Sequence, residues 1–160
     1  LLCCDQVFLL IQTPLGNRTF RQKEMNRFLT QHGDGIRDIA FTVKNVNQWY
    51  ERLKDKTQIT QELENDCFTI MAHTTHSSLT HTFIDTTANY FADFTTNDLL
   101  DPMDLNKMCI DHAVANMRDQ EMETTVNWYT EVLGMERFWS VDDSQIHTEY
   151  SSLRSVVVTT

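Results

Sequence analysis

The sequence predicts an α+β fold made of two strand–helix–strands units in tandem. Two observations carry this reading. The first is an internal repeat. Asp38-Ile39-Ala40 leads into Trp49-Tyr50-Glu51-Arg52-Leu53, and Asp111-His112-Ala113 leads into Trp128-Tyr129-Thr130-Glu131-Val132-Leu133. The aspartates stand 73 positions apart and the Trp-Tyr pairs 79, so the second copy carries six extra residues before its helix. A repeat of this length indicates a duplicated supersecondary unit rather than a solenoid. The second observation is periodicity. In the first copy, apolar residues alternate and then shift to helical spacing, which marks a strand followed by a helix.

Taken in order, Val7-Phe8-Leu9-Leu10-Ile11 is an unbroken apolar run stopped by Thr13-Pro14, and it predicts a strand buried on both faces. Residues 17–31 are polar with sparse apolar positions and predict a short helix. His32-Gly33-Asp34-Gly35 follows as a turn. Ile36 to Val43 alternates and suits a half-buried strand. Asn45 can cap a helix in which Val46, Trp49, Tyr50 and Leu53 share one face. Residues 68–72 and 80–86 read as strands, and residues 87–107, with Pro102, as a connector. The order then restarts. A strand is expected over 108–116, a helix over 121–133 closed by Gly134, a strand over 136–141, a turn at Asp142-Asp143-Ser144, the segment 145–150, and a last strand over 153–158.

The 160 residues carry a net charge of −10, with 13 Lys and Arg scattered along the chain, which argues against nucleic-acid binding. No apolar run approaches the roughly 20 residues needed to span a bilayer. Leu1-Leu2-Cys3-Cys4 is followed at once by Asp5 and lacks a basic flank, so it is not read as a signal peptide. Cys3, Cys4, Cys67 and Cys109 form no CxxC pair and are expected as reduced, buried small hydrophobes. A cytoplasmic protein is the expectation. The chain starts without methionine and stops inside Val156-Val157-Val158, so a piece of a longer protein is expected.

The copies differ where it matters for chemistry. Ile39 in the first stands where the second has His112, and histidine is the commonest metal-binding side chain. On an alternating strand, Ile110, His112 and Val114 share a face. From the residues alone, a lone strand histidine is more often a satisfied core side chain than a ligand, and one imidazole cannot hold a metal. His73 and His76 form an H-x-x-H at a strand end, where three-residue spacing does not converge the rings. His81 and His147 are isolated and expected as surface or hydrogen-bonding residues. Glu121 and Glu123 fit the first turn of a helix, where its dipole favours acids. Ser155 lies between Leu153 and Val157 on one strand face, and either a backbone group or a ligand satisfies its hydroxyl. No phosphate-binding glycine loop, nucleophile elbow or H-E-x-x-H is present.

The run from Met108 through Asp111-His112 to Asn116, then Trp128-Tyr129 to Gly134, resembles the 4-hydroxyphenylpyruvate dioxygenase family. Arg137-Phe138-Trp139 onward to Val158 resembles it too, as does His32 to Val43, and Thr80 to Phe83 more loosely. The likeness is dense over 108–158 and thin over 1–31 and 55–79. It implies the vicinal-oxygen-chelate fold of paired βαβββ modules, with the second domain truncated. Residues 1–100 would be an N-terminal non-catalytic module and 101–160 the start of the C-terminal catalytic domain. His112 falls on the family's first iron ligand, in its Asp-His-x-x-x-Asn motif, and Ser155 on its substrate-contacting serine. Ala115 replaces the usual glycine of that motif. A second histidine and a glutamate, from the family's C-terminal half, would complete a 2-His-1-carboxylate Fe(II) site with three open positions. The resemblance implies a small α-keto acid substrate and O₂ as partners, conversion of 4-hydroxyphenylpyruvate to homogentisate, and a homo-oligomer. Hydroxymandelate synthase, or a paralogue kept as a binding module, are the alternatives.

Overall fold

The computed structural model describes residues 2–4, 7–72, 78–88, 110–118, 120–142, 147–148 and 154–160. The expected H-x-x-H at His73 and His76, most of the connector, Cys109, and most of residues 142–153 lie outside them.

At the start, β1 (Leu2–Cys4) and β2 (Val7–Leu9) form a short antiparallel ribbon. The expected two-faced burial of residues 7–11 is not found: Leu9 is 52% exposed and Ile11 77%. Among the described residues β2 pairs with β1 alone, and a two-stranded ribbon has no layer to cover both its faces. Helix α1 (Phe20–His32) begins in a capping box, where Thr19 accepts from the Gln22 N–H and the Gln22 side chain accepts from the Thr19 N–H. It ends at Gly33, whose φ of +72° is costly for a residue with a Cβ.

The first module is complete. It runs β3 (Phe41–Val43), α2 (Val46–Leu53), β4 (Ile59–Glu64), β5 (Cys67–Met71) and β6 (Thr80–Asp85). The sheet order is β3-β6-β5-β4, with β3 parallel to β6 and the other neighbours antiparallel. The first strand therefore lies against the fourth, and an isolated bridge from Asp38 to Thr80 extends that pairing toward the chain start. Strand β4 escaped the sequence reading. Asn65 and Asp66, both at positive φ, form the tight turn that folds it onto β5. Helix α2 starts at Asn45, and Asp85 of β6 also accepts from the Val46 N–H at 3.0 Å, tying the helix to the fourth strand.

In the second module α3 (Met122–Trp128) continues into a π turn (Tyr129–Leu133), followed by β7 (Glu136–Val141) and β8 (Ser155–Thr159), which pair antiparallel. Gly134, at φ +76°, closes the π turn by donating to the Tyr129 carbonyl. The π turn has a sequence cause. The buried leucine lies three residues after the tyrosine in the first copy (Tyr50 to Leu53) and four after it in the second (Tyr129 to Leu133). The wider turn takes up the additional residue, and Leu53 and Leu133 both reach one core with Val46, Phe68, Ile70 and Phe83. The second module's helix thus packs on the first module's sheet.

One expectation fails on a site-bearing element. Residues 110–118 form no strand. In the first module the corresponding strand β3 pairs with the fourth strand β6, whereas among the described residues the segment 110–118 pairs with no strand.

Candidate metal centre

His112 lies in the irregular segment 110–118 with its side chain 67% exposed, and Asp111 beside it is 89% exposed. The two are joined at 2.6 Å between His112 Nδ1 and Asp111 Oδ2. The inward-facing imidazole expected on a strand is therefore not seen: among the described residues this segment pairs with no strand. Ser155 is the first residue of β8, half-buried and opposite Val141. Two of the sequence-identified positions are thus present, one on a regular element and one not.

What these residues can do chemically follows from the Asp111–His112 pair. A carboxylate on Nδ1 fixes the Nδ1–H tautomer and leaves Nε2 as the lone-pair nitrogen, which is the arrangement that a metal-binding histidine uses. The pair fits one metal ligand with its supporting carboxylate. Among the described residues no three His, Cys, Asp or Glu side chains gather around a common point, so the remaining donors are not supplied by them. The sequence placed Asp111 directly before the histidine in the repeat, and its carboxylate contact with His112 Nδ1 is what the structure adds.

The first copy illustrates what such an aspartate does once its sheet is built. Asp38, the counterpart of Asp111, accepts through Oδ2 from the Thr80 hydroxyl at 2.5 Å and the Thr82 hydroxyl at 3.0 Å, both on β6. Thr82 in turn shares a hydrogen bond with Thr69 of β5 at 3.0 Å. The first strand is held to the fourth through a carboxylate.

Other expected features resolve plainly. Glu123 pairs with Arg137 of β7, and the guanidinium holds its carboxyl below the usual range. The acid at this helix start is accordingly structural, as its position suggested. Cys67 is a buried free thiol bonded to the Glu64 carbonyl, and burial raises its pKa. His81 is buried and hydrogen-bonded through both ring nitrogens, the second of the two roles expected for it.

Residues 109–160 match the family model of the Glyoxalase/Bleomycin resistance protein/Dioxygenase superfamily. Across nearly the whole chain the relatives are more specific. A 4-hydroxyphenylpyruvate dioxygenase of Tetrahymena thermophila is 38% identical over 96% of this chain and 41% of its own length. One from Dictyostelium discoideum is 38% identical over 96% of the chain and 45% of its own length. The Xenopus tropicalis enzyme is 37% identical over 97% and 42%.

Along nearly its whole length the chain is similar to 4-hydroxyphenylpyruvate dioxygenases. It spans less than half the length of these curated relatives, and its mixed α+β architecture is that of a truncated vicinal-oxygen-chelate fold. Among the described residues no helix is long and apolar enough to cross a membrane.

Proposed function

We propose that this chain is part of an Fe(II)-dependent dioxygenase that converts 4-hydroxyphenylpyruvate and O₂ into homogentisate and CO₂, in tyrosine and phenylalanine breakdown. The observation that carries the proposal is 38% identity to dioxygenases of that name over 96% of the chain; the Asp111–His112 pair, where the resemblance puts the family's first ligand, is metal-competent. Residues 1–100 form the non-catalytic N-terminal part in this reading, and 101–160 open the catalytic domain. Ile39 at the place of His112 supports that division. A cytoplasmic homo-oligomer is part of the same proposal.

His112 would bind the metal through Nε2 while Asp111 holds Nδ1–H, fixing the tautomer and orienting the ring. Ser155 would direct a hydrogen bond at the α-keto acid and fix its orientation. A second histidine and a glutamate from beyond Thr160 would complete the ligand set. Fe(II), when bound, would supply Lewis-acid and redox chemistry toward the keto acid and O₂.

The test uses a form extended to the relatives' length, with iron measured separately from product. His112→Ala is expected to lose both iron and homogentisate. Asp111→Asn should weaken iron binding by about 10–100-fold. Ser155→Ala should keep the iron and lose efficiency with substrate. Full iron occupancy in His112→Ala would overturn the ligand assignment, and hydroxymandelate as product would overturn the reaction. Residues 1–160 alone carry one proposed ligand and are expected to make no homogentisate.

A further inference from the structure

His81, on β6 of the first module, is only 1% exposed. It is clasped from both sides. Its Nδ1 lies 3.0 Å from the Ile39 carbonyl, and its Nε2 lies 2.8 Å from the hydroxyl of Tyr129 in the second module's π turn. A carbonyl only accepts, so Nδ1 must carry the proton, and Nε2 of the neutral ring then accepts from the Tyr129 O–H. The ring is also flanked by Phe41 at 5.0 Å and by Trp128 at 6.3 Å between centroids.

The repeat gives this contact its meaning. In the first copy Trp49 stacks on Phe83 and Tyr50 meets Phe68 edge-on, so the pair packs on its own module's sheet. In the second copy the equivalent Trp128-Tyr129 pair packs on His81, across the boundary between modules. Arg52 adds a weaker crossing, with its guanidinium over Trp49 and an Nη2 contact of 3.5 Å to the Val132 carbonyl. Nonpolar packing at the boundary is non-directional, whereas two hydrogen bonds on one ring fix an angle.

We propose that His81 and Tyr129 are a positioning pair: a hydrogen-bonded joint that sets the module bearing His112 at a fixed orientation on the first module. The joint needs a neutral imidazole. Protonation would place a donor on Nε2, force the Tyr129 hydroxyl to turn its proton elsewhere, and leave a charge in a nearly solvent-free site. The titratable groups facing the ring are Tyr129 and Asp38, and the Asp38 carboxylate is already engaged by Thr80 and Thr82. Burial lowers the His81 pKa and pushes that of Tyr129 up to about 12, in keeping with a neutral pair. The joint stands whether or not His112 binds a metal, so its failure and that of the proposed activity are separable.

The test has two parts on the 160-residue chain. In a histidine-¹⁵N-labelled sample, long-range ¹H–¹⁵N correlations are expected to show His81 as the neutral Nδ1–H tautomer at about pH 7.5 and still neutral as pH falls past the ordinary histidine value of about 6.5. An Nε2–H tautomer, or a charged ring at neutral pH, would overturn the joint. Denaturant unfolding of His81→Leu, Tyr129→Phe and the double variant should then give a coupling of about five- to tenfold in the folding equilibrium, the net worth of one buried hydrogen bond. Strict additivity would refute it. His81→Gln keeps a donor and an acceptor, so it should preserve most of the coupling while removing the acid-side loss of stability. Should the variants fail to fold, the tautomer of the unaltered chain decides the matter.

Discussion

Leu133→Ala tests most directly whether the two modules share a core. Leu133 is 6% exposed and lies among Val46, Leu53, Phe68, Ile70 and Phe83, all from the first module. The substitution removes three carbons, worth roughly 2.4 kcal/mol at about 0.8 kcal/mol for each buried methylene. The cavity left behind adds to this, and buried Leu→Ala changes cost about 2.7–5 kcal/mol in all. Since Leu133 ends a π turn that can relax toward the void, the lower half of that range is expected, about 3 kcal/mol. At about 2–4 °C per kcal/mol for a chain of this size, melting should fall by roughly 6–12 °C. The assay is urea and thermal unfolding followed by tryptophan fluorescence, with Leu53→Ala as the comparison. Leu53 is fully buried on the first module's own helix, so its loss should cost at least as much. A Leu133→Ala cost below about 1 kcal/mol beside a full penalty for Leu53→Ala would show that the second helix does not sit on the first sheet.

Two further outcomes follow from backbone and charge. Gly134→Ala forces an L-residue to φ +76°, and its Cβ would lie 2.9 Å from the movable Arg52 Nη2. About 1–2 kcal/mol should be lost, mostly as backbone strain, read as a lower urea midpoint; an unchanged midpoint would refute the left-handed cap. Asp85 accepts from Thr87 and Val46 backbone N–H groups, and these hold its carboxyl below the usual range. Its contribution is therefore full above the unfolded value of about pH 3.9 and disappears as pH falls through the lower folded value. Asp85→Asn should flatten the acid limb of the stability profile, and an unaltered limb would remove Asp85 as its source.

How far the sequence foretold the molecule differs by element, for physical reasons. Local signals carried well. The helix expected over 17–31 is α1, the turn expected at Gly33 ends it, Gly134 closes the second helical segment, and β7 spans the residues its pattern indicated. Strand β4 was missed because its alternation is weak: among Ile59, Gln61 and Leu63, the middle residue is polar. The exposure of Leu9 and Ile11 could not be read, since an apolar run reports what a segment can bury and not whether a cover exists. The same limit governs the metal centre. Asp111-His112 was visible as a motif and as a departure from Asp38-Ile39, yet the strand expected to carry it is irregular and pairs with nothing among the described residues. His81 seemed unremarkable because its partners, Ile39 and Tyr129, are 42 and 48 residues away.

The π turn makes the two related helices non-interchangeable. Removing one residue between Tyr129 and Leu133, to match the spacing of Tyr50 and Leu53, would close the turn to ordinary helical pitch. Each residue of an α-helix turns about 100°, so the leucine and the Trp-Tyr pair could no longer both keep their present seats. Chimaeras that graft the first module's helix onto the histidine-bearing half would thus inherit the right residues at the wrong azimuth.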